Sequence, residues 1–170
     1  MNEQPTRKEI RLKSYDYSSS GAYFVTICSK GKEKIFWCED KFRAYLQNCD
    51  FTKINLTVSY DQCLSMLGEI IVSEIENMND IYASVSIDKY CVMPDHIHMI
   101  LLIQKEEANE PPTLSRIIKQ FKGSISKKAG SAIWQKSFYD HIIRNQDDYN
   151  NVWEYIDKNP LKYLLKKAPF

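Results

Sequence analysis

No stretch of the sequence stays apolar for the ~20 residues that a membrane-spanning helix needs, so a helical membrane protein is excluded at the outset. The five cysteines, Cys28, Cys38, Cys49, Cys63 and Cys91, are odd in number and never fall at a Cys-x-x-Cys spacing. That argues against a disulfide framework and against a zinc ribbon, and for a reducing cytoplasm. The first ten residues, Met1 to Ile10, are polar and charged and do not read as a secretory signal. Glycine-rich phosphate loops, internal repeats, low-complexity tracts and interdomain linkers are all missing. Histidine is scarce, with three in 170 residues.

The remaining composition is that of an ordinary soluble domain, with eleven tyrosines supplying most of its aromatic character. At 170 residues one domain is expected over residues 1–170, with a core that needs neither disulfides nor a structural metal. The formal net charge is only +1, but the charges are segregated. Thr113 to Tyr139 contains no acid, while Arg116, Lys119, Lys122, Lys127, Lys128 and Lys136 are all basic. After Asp157 the tail carries Lys158, Lys162, Lys166 and Lys167, again without an acid. Acidic clusters at Glu106, Glu107 and Glu110 and at Asp147 and Asp148 balance them. Such segregation suits either a polyanion-binding face or a solvated helix face.

Two of the histidines lie in Tyr90-Cys-Val-Met-Pro-Asp-His-Ile-His-Met-Ile-Leu-Leu-Ile103. If the apolar run is a strand, His96 and His98 are two apart and share a face. Paired imidazoles build a poor core, because each ring carries a polar nitrogen that needs a partner. They are well suited to a divalent metal or to catalysis. The competing reading is one exposed histidine and one satisfied by a backbone carbonyl.

In chain order, residues 1–20 form a basic arm ending in Ser18-Ser-Ser-Gly21, and Ala22 to Cys28 reads as a strand. Ser29 to Lys34 is a polar turn and Ile35 to Trp37 a short extended piece. Residues 39–61 have mixed patterns that suggest an insertion, with a weak strand over 54–60. Leu64, Met66, Leu67, Ile70, Ile71, Ile75 and Met78 recur at helical spacing, predicting a helix from about Cys63 to Met78. Residues 83–93 are extended and should pair as a hairpin with the histidine strand. Gln104 to Pro112 is a polar loop. Thr113 can cap a helix from Leu114 to about Lys128, and Gly130 can end it. Ile133 to Ile143 reads as extended and carries His141. Asn145 is positioned to cap a last helix, which Pro160 should stop. This order gives an α+β fold, most simply a ferredoxin-like antiparallel sheet with helices packed on one face.

Two histidines leave a metal short of ligands. On the last helix Tyr155 and Asn159 are four apart, hence one turn from each other on one face, and neither fits the stripe of Val152 and Ile156. A site of two imidazoles and an amide suits Mg2+ or Mn2+. For Asn159 a simple helix C-cap is the alternative.

The Tyr90 to Leu101 segment resembles the His-hydrophobic-His (HUH) box of the single-tyrosine transposases. Trp134-Gln-Lys-Ser-Phe-Tyr-Asp-His-Ile-Ile-Arg144 and Trp153-Glu-Tyr-Ile-Asp-Lys-Asn-Pro160 resemble the C-terminal signature of their REP-associated branch, and Gly21 to Cys28 resembles the first strand. The resemblance runs from about Tyr15 to Pro160. It implies a ferredoxin-like, metal-dependent endonuclease that cuts and rejoins single-stranded DNA near hairpins, acting as monomer or homodimer in the cytoplasm, associated with the nucleoid when on DNA. It further implies His96, His98 and Asn159 as ligands of Mg2+ or Mn2+ and Tyr155 as the nucleophile. His141 is a candidate general base. The basic residues from Arg116 to Lys136 are candidates for phosphate contacts, and Tyr15, Tyr17 and Tyr139 for base stacking. Two rivals stand beside this reading: a metal-dependent phosphoesterase that uses water, and a DNA-binding relic of the same fold that no longer cuts.

Overall fold

A computed structural model describes residues 20–48, 60–104 and 112–167. Residues 54–59 of the strand expected over 54–60, the arm with Tyr15 and Tyr17, and the acidic loop around Glu106 lie outside the described residues, and Tyr60 itself begins a short 3-10 turn.

Four strands, β1 (Gly21–Cys28), β2 (Val85–Val92), β3 (His96–Ile103) and β4 (Tyr139–Ile143), form one antiparallel sheet in the order β2-β3-β1-β4. Helices α1 (Glu39–Asn48), α2 (Met66–Glu76) and α3 (Met78–Ile81) link β1 to β2, and α4 (Leu114–Ala129) links β3 to β4. A last helix, α5 (Gln146–Leu165), closes the chain. This is the expected ferredoxin-like arrangement.

The strands alternate, and each face meets different helices. Tyr23, Val25 and Ile27 of β1 and Ile97, Met99 and Leu101 of β3 bury against the apolar stripes of α2 and α4. On the other face Phe24 and Ile100 pack beneath Val152 and Ile156 of α5. The two linking helices thus share one face, and α5 is added on the opposite one.

Helix starts follow local chemistry. Ser65, Thr113 and Asn145 each accept a hydrogen bond from the backbone amide three residues on, satisfying a donor the helix leaves free. Gly130 ends α4 at φ 68°, a left-handed conformation that glycine adopts without steric cost. The expected helix over Cys63 to Met78 is shorter, and Asn77 separates it from α3. Of the extended stretch from Ile133 to Ile143 only Tyr139–Ile143 is a strand, with Trp134 held by an isolated bridge to Ser29.

Two segments depart from expectation. Residues 39–48 form α1, a helix without a fully buried residue, whose short apolar side of Phe42, Tyr45 and Leu46 is only half covered. Its Phe42 rests on Trp37 and on Tyr163 of α5. Pro160 does not stop α5, which continues to Leu165. A proline inside a helix costs about 3 kcal/mol through its missing N–H and its ring. Here Pro160 and Leu164 are buried, and Tyr163 sits against Trp37, so packing beyond the proline outweighs the local penalty. Asn159 is therefore an interior helical residue and not a C-cap.

Candidate active site

The turn between β2 and β3 is held from three sides. Met93 N–H donates to His96 O at 2.8 Å, Ser29 N–H to Asp95 O at 2.9 Å, and Phe36 N–H to Pro94 O at 3.0 Å. The last two bonds tie the turn to the segment that follows β1. In register, His96 stands opposite Cys28, and His98 opposite Thr26.

Both imidazoles face α5, on the sheet face that carries Phe24. Their Nε2 atoms are 3.0 Å apart. Each Nδ1 has its own partner: Asp95 Oδ1 at 2.6 Å from His96, and Thr26 Oγ1 at 2.8 Å from His98. Phe24 stacks on His98 with ring centroids 5.3 Å apart. His98 is buried, whereas His96 is only partly so. Burial, helped by the neighbouring His96, pushes the His98 pKa down to about 3. At physiological pH that ring is neutral and keeps a lone pair for a ligand.

From α5, Tyr155 brings its hydroxyl to 3.5 Å from His98 Nε2 while its side chain remains 44% exposed. Its ring meets Phe24 edge-on at 5.9 Å and His98 at 5.2 Å. Phe24 thereby braces both groups. A hydroxyl beside the His98 imidazole and open to solvent is placed to attack an electrophile brought to the histidine pair.

Asn159 lies one turn beyond Tyr155, and its Nδ2 is buried with no hydrogen-bond partner. A buried amide left unsatisfied is costly and calls for a partner. Amide N and O positions are interchangeable by a flip, so the same side chain can turn an oxygen outward. Among the described residues no group of three His, Cys, Asp or Glu side chains gathers to hold an ion. A site would therefore rest on the two imidazoles, an amide and oxygens from substrate. The histidines fit a divalent ion: two nitrogens each about 2.1 Å from an octahedral centre stand about 3.0 Å apart, the separation observed. Their outer nitrogens are held from behind, as in metal-binding histidines generally.

The other candidates are distributed unevenly. His141 lies opposite Phe24 on β4, with its Nε2 against both carboxylate oxygens of Asp148 at 3.0 and 2.9 Å. That pair clips β4 to the first turn of α5, and His141 has no hydrogen bond to Tyr155. Tyr139 sits opposite Thr26, half exposed, with its ring edge-on to Phe24 at 6.5 Å. The basic residues of α4 are on the far face of the sheet. Lys122 donates to the carbonyls of Gln135 at 2.5 Å and Ser137 at 3.3 Å, and Lys128 pairs with Glu74 at 2.6 Å. Arg116, Lys119, Lys127 and Lys136 are exposed, without an ion pair to another described residue. Thr26, Asp95 and Phe24 were not among the site residues expected from the sequence. Thr26 is the one short polar residue in its strand and Asp95 abuts His96, which were the only available signals.

No family model matches the chain. Among curated proteins, an uncharacterized protein of Haemophilus influenzae is 31% identical, over 91% of this chain and 88% of its own. A second Haemophilus influenzae protein, provisionally named a REP-associated tyrosine transposase, is 25% identical over 91% of this chain and 81% of its own length. A REP-associated tyrosine transposase of Escherichia coli is 34% identical over 45% of each chain. The fold is similar to a solved REP-associated tyrosine transposase bound to a REP hairpin, at TM-score 0.57 and 20% identity, covering 90% of this chain and 74% of that one.

Proposed function

The chain belongs to the family of REP-associated tyrosine transposases, and on that premise we propose that it cuts and rejoins single-stranded DNA beside a hairpin through a covalent tyrosine intermediate. The observation that carries this reading is the approach of the Tyr155 hydroxyl to 3.5 Å from His98 Nε2, itself 3.0 Å from His96 Nε2.

Tyr155 Oη attacks the scissile phosphorus in line. The new bond is phosphorus to Tyr155 Oη, and the bond broken is phosphorus to the 3′ oxygen. The phenol gives up its proton, and the departing oxygen takes one to become a 3′-hydroxyl. The phosphodiester count is unchanged, so a 3′-hydroxyl from another strand can run the step backwards and complete strand transfer. A divalent ion, Mg2+ or Mn2+, held by His96, His98 and Asn159, would neutralise charge developing on the phosphate. Phe24 fixes the angle between nucleophile and histidines, and the exposure of Tyr155 leaves room for a strand. The hairpin preference is drawn from the solved relative, whose structure holds a REP hairpin.

The test is incubation with a labelled hairpin-bearing single strand and Mg2+ or Mn2+, followed by denaturing electrophoresis. A protein–DNA adduct absent in Tyr155→Phe and in His96→Ala is expected. Cleavage without an adduct would instead indicate a water nucleophile, and binding with neither would indicate a relic.

A further inference from the structure

Two Nε2 atoms at 3.0 Å, each on a ring whose Nδ1 is already engaged, restrict where the protons can be. A carboxylate only accepts, so Asp95 requires the proton of neutral His96 to be on Nδ1. In neutral His96, Nε2 is then a lone pair. Two lone pairs cannot face each other at this distance without something between them. With both rings neutral, either His98 carries its proton on Nε2 and donates it to His96, or His98 carries it on Nδ1 and both lone pairs face a shared cation.

Thr26 is the only described partner of His98 Nδ1, and a hydroxyl can serve both cases. It donates when Nδ1 is bare, and it accepts when Nδ1 bears the proton. The hydroxyl hydrogen needs only to rotate about the Cβ–Oγ1 bond. No other short polar side chain of β1 is available, since Val25 and Ile27 flank Thr26 and point to the opposite face.

We propose that Thr26 is a positioning residue whose hydroxyl lets His98 exchange tautomers, while Asp95 holds His96 in the one that can bind a metal. The pair then opens from a self-satisfied hydrogen-bonded dyad to a two-nitrogen site without moving a heavy atom. Replacing the hydroxyl by a methyl leaves the buried Nδ1 without a partner in both forms, and in the loaded form it also removes the bond that orients the ring and raises the basicity of Nε2 as a metal ligand. This rests on the metal reading above, and the roles it adds are those of Thr26 and Asp95, which that reading does not use.

The experiment uses the full chain and Mn2+ alone, without DNA. Free Mn2+ is counted by electron paramagnetic resonance for wild type, Thr26→Val and Thr26→Ser, and histidine ring-nitrogen NMR reports tautomers in the chelator-treated protein. Expected are Mn2+ binding by wild type, loss of about tenfold or more in Thr26→Val, and recovery to within about threefold in Thr26→Ser. His96 should carry its proton on Nδ1, and His98 on Nε2, in chelator-treated wild type. Thr26→Val that folds and binds Mn2+ like wild type would overturn the proposal, as would His98 protonated on Nδ1 in the chelator-treated protein. Wild type that fails to bind Mn2+ would overturn both this proposal and the metal reading. The adduct assay would still judge Tyr155 separately.

Discussion

At the scale of single residues, the site is a small aromatic and imidazole cluster centred on Phe24. Phe24 touches His98, Tyr155 and Tyr139, so one side chain sets the relation between the proposed nucleophile, a histidine and an exposed ring. Tyr139 stands two strands from His98 on the same face, with Thr26 between them. Neighbouring strands are about 4.8 Å apart, so its ring is about one nucleotide's reach from the histidines. Stacking of a base on an aromatic ring is worth about 1–3 kcal/mol. Tyr139→Ala is expected to weaken single-strand binding by about fivefold or more, with Tyr139→Trp retaining it. Fluorescence anisotropy across labelled single strands measures this, and replacing the stacked base by an abasic site should erase the difference. The histidine pair and Tyr155 were legible in the sequence because their spacing follows the period of a strand and of a helix. Thr26 was not, because its contact with His98 crosses 72 residues of sequence. No local pattern reports a pairing register.

At the scale of elements, α2 is pressed onto the segment after β1. A Cβ built on Gly68 would come within 2.2 Å of Phe36 O, whereas one on Gly123 of α4 meets nothing within 4 Å. Gly68→Ala should therefore destabilise the fold by about 2 kcal/mol or more through forced backbone shifts. Gly123→Ala should stabilise it by about 0.5–1 kcal/mol, since it only removes unfolded-chain freedom from a helix interior. Urea denaturation of both variants checks the pair of opposite signs. The α2–α4 contact also holds buried Glu74. Burial alone would raise its pKa, but hydrogen bonds from Lys128 and Ser124 and the Lys128 charge outweigh that and leave it lowered. A folded value below the unfolded one means stability that is complete above the ordinary carboxylate range, about 4.3, and lost as pH falls through the folded value. Wild type should exceed Glu74→Gln in stability at pH 7, and the gap should close in acid. Parallel denaturation curves from pH 7 down to pH 3 test this. Helices α4 and α5 were readable from their caps, Thr113 and Asn145. Helix α1 was not, because its apolar side is short and only half covered. The passage of α5 through Pro160 was also hidden, because it depends on Trp37 and Phe42, more than a hundred residues away, receiving Tyr163.

At the scale of the whole molecule, the sheet separates two kinds of surface. The histidines, Tyr155 and Tyr139 occupy the face toward α5, and the basic helix α4 lies behind the other. The sequence made both the charges and the chemistry visible, but which face each occupies depends on strand parity and helix placement together. A strand held at Tyr155 must wrap an edge of the sheet to reach Arg116, Lys119 or Lys127, so these residues are suited to a hairpin stem or a distant segment. Exchanging the three for glutamine should lower affinity for hairpin-bearing DNA and reduce its salt dependence. The slope of log affinity against log salt should fall by about 0.7–0.9 for each phosphate that is no longer neutralised. Adduct formation at saturating DNA should keep the wild-type rate, and a fall in that rate would place α4 in the chemistry. Lys122 and Lys128, engaged with backbone carbonyls and Glu74, should affect stability before affinity.

The most direct measurement is the identity of the covalent bond. A hairpin-bearing single strand labelled separately at each end would be reacted with the full chain in Mn2+, and the adduct digested and sequenced by mass spectrometry. Attack by Tyr155 on phosphorus with release of a 3′-hydroxyl requires the 3′-side label to remain on protein, attached at Tyr155 and not at Tyr139, the other exposed tyrosine beside Phe24. Retention of the 5′-side label, attachment at any other residue, or complete cleavage with no label on protein would contradict it.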